Sequence, residues 1–130
     1  MLFLLHILVM ATATLGIIAG VGTAMFFRRN RNWLKIHRSV NSLSLGGMTA
    51  GVIMAYFYIA DSGGRHIGGL HQSAGLAAFI LALMTLSMGY YHTQARNKPA
   101  LRTAHRWLGR LSLLIILTAA VLGLRLINLF

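Results

Sequence analysis

Cysteine is absent from this 130-residue chain, which excludes disulfides, thiolate-held metal clusters and thiol chemistry in any compartment. Acid is almost as scarce. Asp61 is the one carboxylate side chain, against twelve Lys and Arg. Paired-acid hydrolysis, acidic metal cages and a carboxylate proton relay therefore lack their residues. The only proline, Pro99, falls in a polar link. Charged residues of both signs make up 10% of the chain and apolar residues 57%, far from the average of soluble domains, and the length suits one domain.

What is present is apolar and arranged in four runs: about Leu2 to Phe27, Trp33 to Ala60, Ile67 to Tyr91 and Ala104 to Phe130. Each is long enough, at about 1.5 Å per helical residue, to cross roughly 30 Å of hydrocarbon. Short polar links, "RRNRN", "DSGGRH" and "TQARNKPALR", separate them. The expected fold is all-α: one domain over 1–130, an integral membrane, antiparallel four-helix bundle embedded in lipid.

The net charge of +11 would suggest nucleic acid in a soluble chain, but these cations flank membrane runs. If the start of the first run is side A and its far end side B, Arg28, Arg29, Arg31, Lys35, Arg38, Arg96, Lys98, Arg102, Arg106 and Arg110 fall toward side B. Only Arg65 and Arg125 fall toward side A. The positive-inside rule then makes side B cytoplasmic and puts both termini outside, as in a bacterial inner membrane, and leaves no role for nucleic acid. The first run lacks the positively charged leader of a signal peptide, despite an "ATA" that resembles a cleavage site, so it is expected to remain as a span.

Histidine is the one abundant chemical group. His6, His37, His71 and His105 fall near the starts of the four runs, one per span. Antiparallel packing brings His6 level with His71 toward side A, and His37 level with His105 toward side B. An imidazole at membrane depth loses its water hydrogen bonds and is either functional or closely partnered. Two histidines per level are too few for a tetrahedral zinc or copper site without Cys or acids to complete it. They are enough for a haem, whose macrocycle supplies four nitrogens and leaves two axial positions.

A second regularity lies eighteen residues, five turns, beyond each of these histidines: Ala24, Ala55, Gly89 and Gly123. The expected reason is clearance, each helix holding one haem and presenting a small side chain where it passes the other. Close helix packing, as Gly16/Gly20 and Gly47/Gly51 suggest, asks for the same residues.

"HQSAGL" (71 to 76) and "HRWLGR" (105 to 110) share His-x-x-x-Gly. With "LHILVM" and "KIHRSVN" they make the chain resemble the four-helix haem core of the cytochrome b561 superfamily, particularly the versions attached to DOMON domains. The resemblance implies two b-type haems, the outer on His6 and His71 and the inner on His37 and His105, with these four as iron ligands. Ile7 follows His6 where many relatives have Gly, so His66 is its natural substitute and His92 a weaker rival to His105. The resemblance also explains a repeat: "IHRSVNSLSL" and "AHRWLGRLSL" both read His-Arg, four residues, Leu-Ser-Leu. Arg38 and Arg106 directly follow the inner histidines and are candidates to meet haem propionates, against the plainer reading of arginines snorkelling to lipid phosphate. Ser44 and Ser112 are expected to hydrogen-bond their own helix backbone.

The function that follows is electron transfer across the membrane through two bis-histidine haems. Two alternatives stay open: an interfacial oxidoreductase of the ascorbate or ferric reductase or quinol oxidase type, and a haem-free metal-ion transporter. The donor and acceptor are open among ascorbate, a quinol and a protein partner, as is association with a second copy or a larger complex.

Overall fold

The structure, a computed structural model, describes residues 1–91 and 98–128. Almost all of them lie in four helices: α1 (Leu2–Phe26), α2 (Trp33–Asp61), α3 (Leu70–Tyr91) and α4 (Lys98–Leu126). All four are long and apolar enough to cross a membrane. The all-α membrane bundle read from the sequence is the observed architecture.

Two helix starts differ from expectation, each for a local reason. α3 begins at Leu70 rather than Ile67, after the consecutive Gly68 and Gly69, poor helix formers that leave the preceding residues in the turn. α4 begins at Lys98 rather than Ala104 and ends at Leu126. Pro99 stands in its first turn, where a missing N–H costs nothing and a fixed φ favours the helix. The polar "KPALR" is therefore helix rather than link, and His105 sits about two turns inside α4 instead of at its start.

The first link is stopped by Asn30, whose side chain accepts from the Asn32 N–H at 2.8 Å while its carbonyl accepts from Trp33 N–H at 3.1 Å. α2 ends on Gly63 in the left-handed region (φ +66°). Gly64 N–H reaches back to the Ile59 carbonyl at 3.1 Å and Gly63 N–H to that of Ala60 at 3.4 Å, a Schellman end that only glycine adopts without strain.

The helices form two hairpins: α1 packs chiefly on α2, and α3 on α4. Between hairpins α1 meets α4 and α2 meets α3, while the diagonal pairs, α1 with α3 and α2 with α4, keep their backbones apart. Glycine sets the first hairpin. The Gly16 Cα lies against the Ser44 side chain, Gly20 against Asn41, Gly47 against Ala13 and Gly51 against Met10, the close approach that membrane helices use in place of hydrophobic driving force. The buried core, Ala13, Ile17, Leu45, Met48, Ala78, Ala82 and Ile116, occupies the middle of the bundle. Most other large apolar side chains face outward, as lipid requires.

Ser44 and Ser112 depart from expectation. Both are buried, 7% and 4% exposed, yet neither bonds its own helix, in contrast to Thr12, Thr49, Thr85 and Thr118, which each bond the carbonyl four residues back. The Ser44 Oγ is turned across the hairpin into the space over Gly16. Two consequences can be measured by thermal unfolding in detergent. Gly16→Ala is expected to lower stability by about 1–3 kcal/mol through overpacking against Ser44. Ser44→Ala, which removes a buried hydroxyl with no hydrogen-bond partner among the described residues, is expected to be neutral or stabilising and to recover most of that loss in the double variant. Additive effects of the two changes would show that the hydroxyl and the glycine are not in contact.

Candidate functional site

Each of the four singled-out histidines is half-buried and crosses to the neighbouring helix of its own hairpin. His6 Nδ1–H donates to the Gly51 carbonyl at 2.8 Å and His37 Nδ1–H to that of Gly20 at 2.7 Å. In the second hairpin, His71 Nδ1–H donates to the Ala119 carbonyl at 2.9 Å and His105 Nδ1–H to that of Thr85 at 3.0 Å. A carbonyl oxygen only accepts, so in each neutral ring the proton is on Nδ1 and the lone pair on Nε2. That is how proteins orient metal-binding imidazoles: the far nitrogen held by a backbone acceptor, which fixes the tautomer and raises the basicity of the ligating one.

The rings meet across the diagonals. His6 and His71 lie with centroids 6.3 Å apart and planes at 84°; His37 and His105 lie 6.3 Å apart at 87°. With metal–imidazole bonds of about 2.0–2.1 Å and each ring centre about 1.1 Å behind its nitrogen, two imidazoles trans on one metal have centroids about 6.3 Å apart. Both pairs have this spacing. Among the described residues no group of three or more His, Cys, Asp or Glu is placed to hold a metal ion. A metal at either level must bring its remaining ligands with it, as haem iron does.

The same contacts give the small residues a further role. The carbonyls that accept the histidines, Gly20, Gly51, Thr85 and Ala119, stand fourteen residues beyond the histidine of their own helix. In an α-helix the residue four further on lies directly over such a carbonyl. Those residues are Ala24, Ala55, Gly89 and Gly123. A Cβ on Gly89 would stand 3.0 Å from His105 Cε1, and one on Gly123 2.9 Å from His71 Cε1. At these two positions a larger side chain would meet the imidazole of the other layer, which enters there. The acceptor carbonyls escaped sequence reasoning, though the signal was present as a position four residues before each small one.

At side B the two hairpins border a cavity of about 710 Å³ whose lining includes His37, His105, Gly89, Gly109 and Ala24, together with Arg28, Arg38, Arg102, Arg106 and Arg110. This is within the usual 300–1,000 Å³ of cofactor sites. Arg38 is half-buried with its guanidinium over the Tyr90 ring at 5.5 Å, and Arg106 is exposed. Arg28 and Arg110 lie over Trp33 and Trp107 at 5.9 and 5.0 Å. His66 is exposed and stacks on Tyr56, 4.5 Å between centroids and 12° between planes, so it is engaged with α2. His92 and Arg96 lie outside the described residues.

A family model described as eukaryotic cytochrome b561 matches residues 1–130. The chain belongs to the cytochrome b561 family. No curated protein and no solved structure matches it. As a cytochrome b561 it is an integral, multi-pass membrane protein that binds haem b and transfers electrons across the membrane. The family description is of eukaryotic proteins and so lends nothing to the expected bacterial inner membrane.

Proposed function

We propose that this cytochrome b561 carries two b-type haems, one on His6 and His71 and one on His37 and His105, and passes electrons between them from one membrane face to the other. The observation that carries this reading is the 6.3 Å spacing of both ring pairs, each ring holding a backbone carbonyl through Nδ1. Bound haem supplies a reversible one-electron couple. The chain's part is to fix, insulate and charge it. The two imidazoles of each pair would hold the haem between them and leave its iron no free position for oxygen, which suits electron transfer. The two imidazole layers are separated by fourteen residues, about 21 Å along the helices, and the apolar core between them excludes water. Arg38 and Arg106, which line the inner cavity beside His37 and His105, are cations available to inner propionates. The excess of cations at that end supports a cytoplasmic side B with both termini outside.

Haem stoichiometry tests this directly. Purified protein is expected to hold two haems per chain by pyridine haemochrome assay, and one haem per chain would remove one layer. The ring planes give a second readout. Near-perpendicular imidazoles, at 84° and 87°, leave two iron d orbitals almost degenerate, so both ferric centres are expected to show strongly anisotropic low-spin EPR signals. A purely rhombic spectrum, as coplanar rings give, would contradict the observed ring geometry.

A further inference from the structure

The two layers differ at one matched position in the α1–α2 interface. Four residues after His6 stands Met10, and four after His37 stands Asn41. Both side chains fill the α1–α2 interface over the glycine whose carbonyl accepts the histidine: Met10 over Gly51 and Asn41 over Gly20. One is a thioether and the other an amide. Asn41 Nδ2–H donates to the His37 carbonyl at 2.6 Å, which fixes its orientation, since a reversed amide would set oxygen against oxygen. The same Nδ2 lies 3.2 Å from His37 Nδ1, and the residue lines the inner cavity. An N–H donor is thus held beside the nitrogen that itself donates to Gly20 at 2.7 Å.

On the reading that His37 and His105 ligate the inner haem, we propose that Asn41 is a positioning residue that raises the reduction potential of that haem, and that the outer haem, with Met10 in the equivalent place, lacks this device. A backbone acceptor on Nδ1–H pushes electron density toward Nε2 and favours the more positively charged ferric iron. The positive end of the Asn41 amide, held against Nδ1, opposes that push and disfavours the extra positive charge. Hydrogen bonding around axial ligands is an established lever on haem potential. Here it acts on one layer only. Asn41 touches neither iron nor substrate and works through His37.

The test is an optical redox titration of the full-length protein in nanodiscs, comparing wild type with Asn41→Ala. The inner transition is assigned in a His71→Ala background, where the outer haem is removed. Asn41→Ala only deletes atoms and introduces no clash. The expected result is retention of the inner haem with a lowered midpoint, so that its ferrous-to-ferric ratio at a fixed potential falls several-fold. Met10→Leu is expected to leave both midpoints in place. An unchanged or raised inner midpoint overturns the proposal, and so does loss of the inner haem, which would make Asn41 a support for His37 and no more. Failure of the ligation reading looks different: in the His71→Ala background, His37→Ala would then leave the remaining haem bound.

Discussion

Purified His105→Ala protein is expected to lose the inner low-spin haem, to hold about half the wild-type bis-histidine absorbance, and to stop transferring electrons across vesicle membranes. The geometry dictates that size of effect. In the proposed ligation His105 supplies one of the two nitrogens at its level, and its partner His37, 6.3 Å away between ring centroids, is tethered to Gly20 and cannot cross the gap. Loss of an outer hydrogen-bonding partner of a metal ligand typically costs 10–100-fold in affinity or activity, and loss of the ligand itself should exceed about 100-fold. Transfer stops because the surviving layer lies near one face, with about 21 Å of helix to the emptied one. The outer haem stays, since His6 and His71 depend on Gly51 and Ala119 and on nothing at the inner level. His66→Ala, beside Tyr56 on the surface, is expected to change neither haem. Two intact low-spin haems in the His105→Ala protein would show that the inner pair is not the ligand set.

Much of this arrangement was legible from the chain alone, because the membrane narrows the choices. A span must be helical, four spans with short links must run antiparallel, and one histidine near the start of each then has a single partner at its own depth. Depth is one-dimensional and can be counted in residues. What counting could not supply was direction across the bundle. That His6 reaches toward α2 for a carbonyl while meeting α3 across the diagonal depends on three helices at once. The extent of α4 is less legible for a different reason: "KPALR" is polar and reads as a link, whereas Pro99 permits a first turn that projects beyond the apolar run. Ser44 was expected to behave as an isolated membrane serine does. It turns instead into the gap that Gly16 leaves on α1, a feature of the pair that neither sequence segment shows by itself.

The strongest separation of ligand from lining comes from two glycines that bind nothing. Gly123 is on α4, the helix of His105, yet a side chain there meets His71: a Cβ would lie 2.9 Å from Cε1 and 3.2 Å from Nδ1. The ring has no room to yield. It is fixed by the Ala119 carbonyl at 2.9 Å on one edge and faces His6 on the other, so the added atoms must displace the imidazole or the helix. Overpacking of this kind costs about 1–3 kcal/mol for a small increment, and leucine adds three carbons beyond the first. Gly123→Leu is therefore expected to remove the outer haem and spare the inner one, although it shares a helix with the inner histidine. Gly89→Leu, on the helix of His71, is expected to do the reverse, because a Cβ there stands 3.0 Å from His105 Cε1. Gly46→Ala, where an added Cβ meets nothing within 4 Å, should spare both. The crossed outcome is the informative one. A general loss of folding would remove both haems from every variant, and control of each haem by its own helix alone would make Gly123→Leu lose the inner haem; only interlocked layers, each helix holding one imidazole and making room for another, exchange the two losses. Haem spectra of the two leucine variants in the His71→Ala and His105→Ala backgrounds decide among these outcomes.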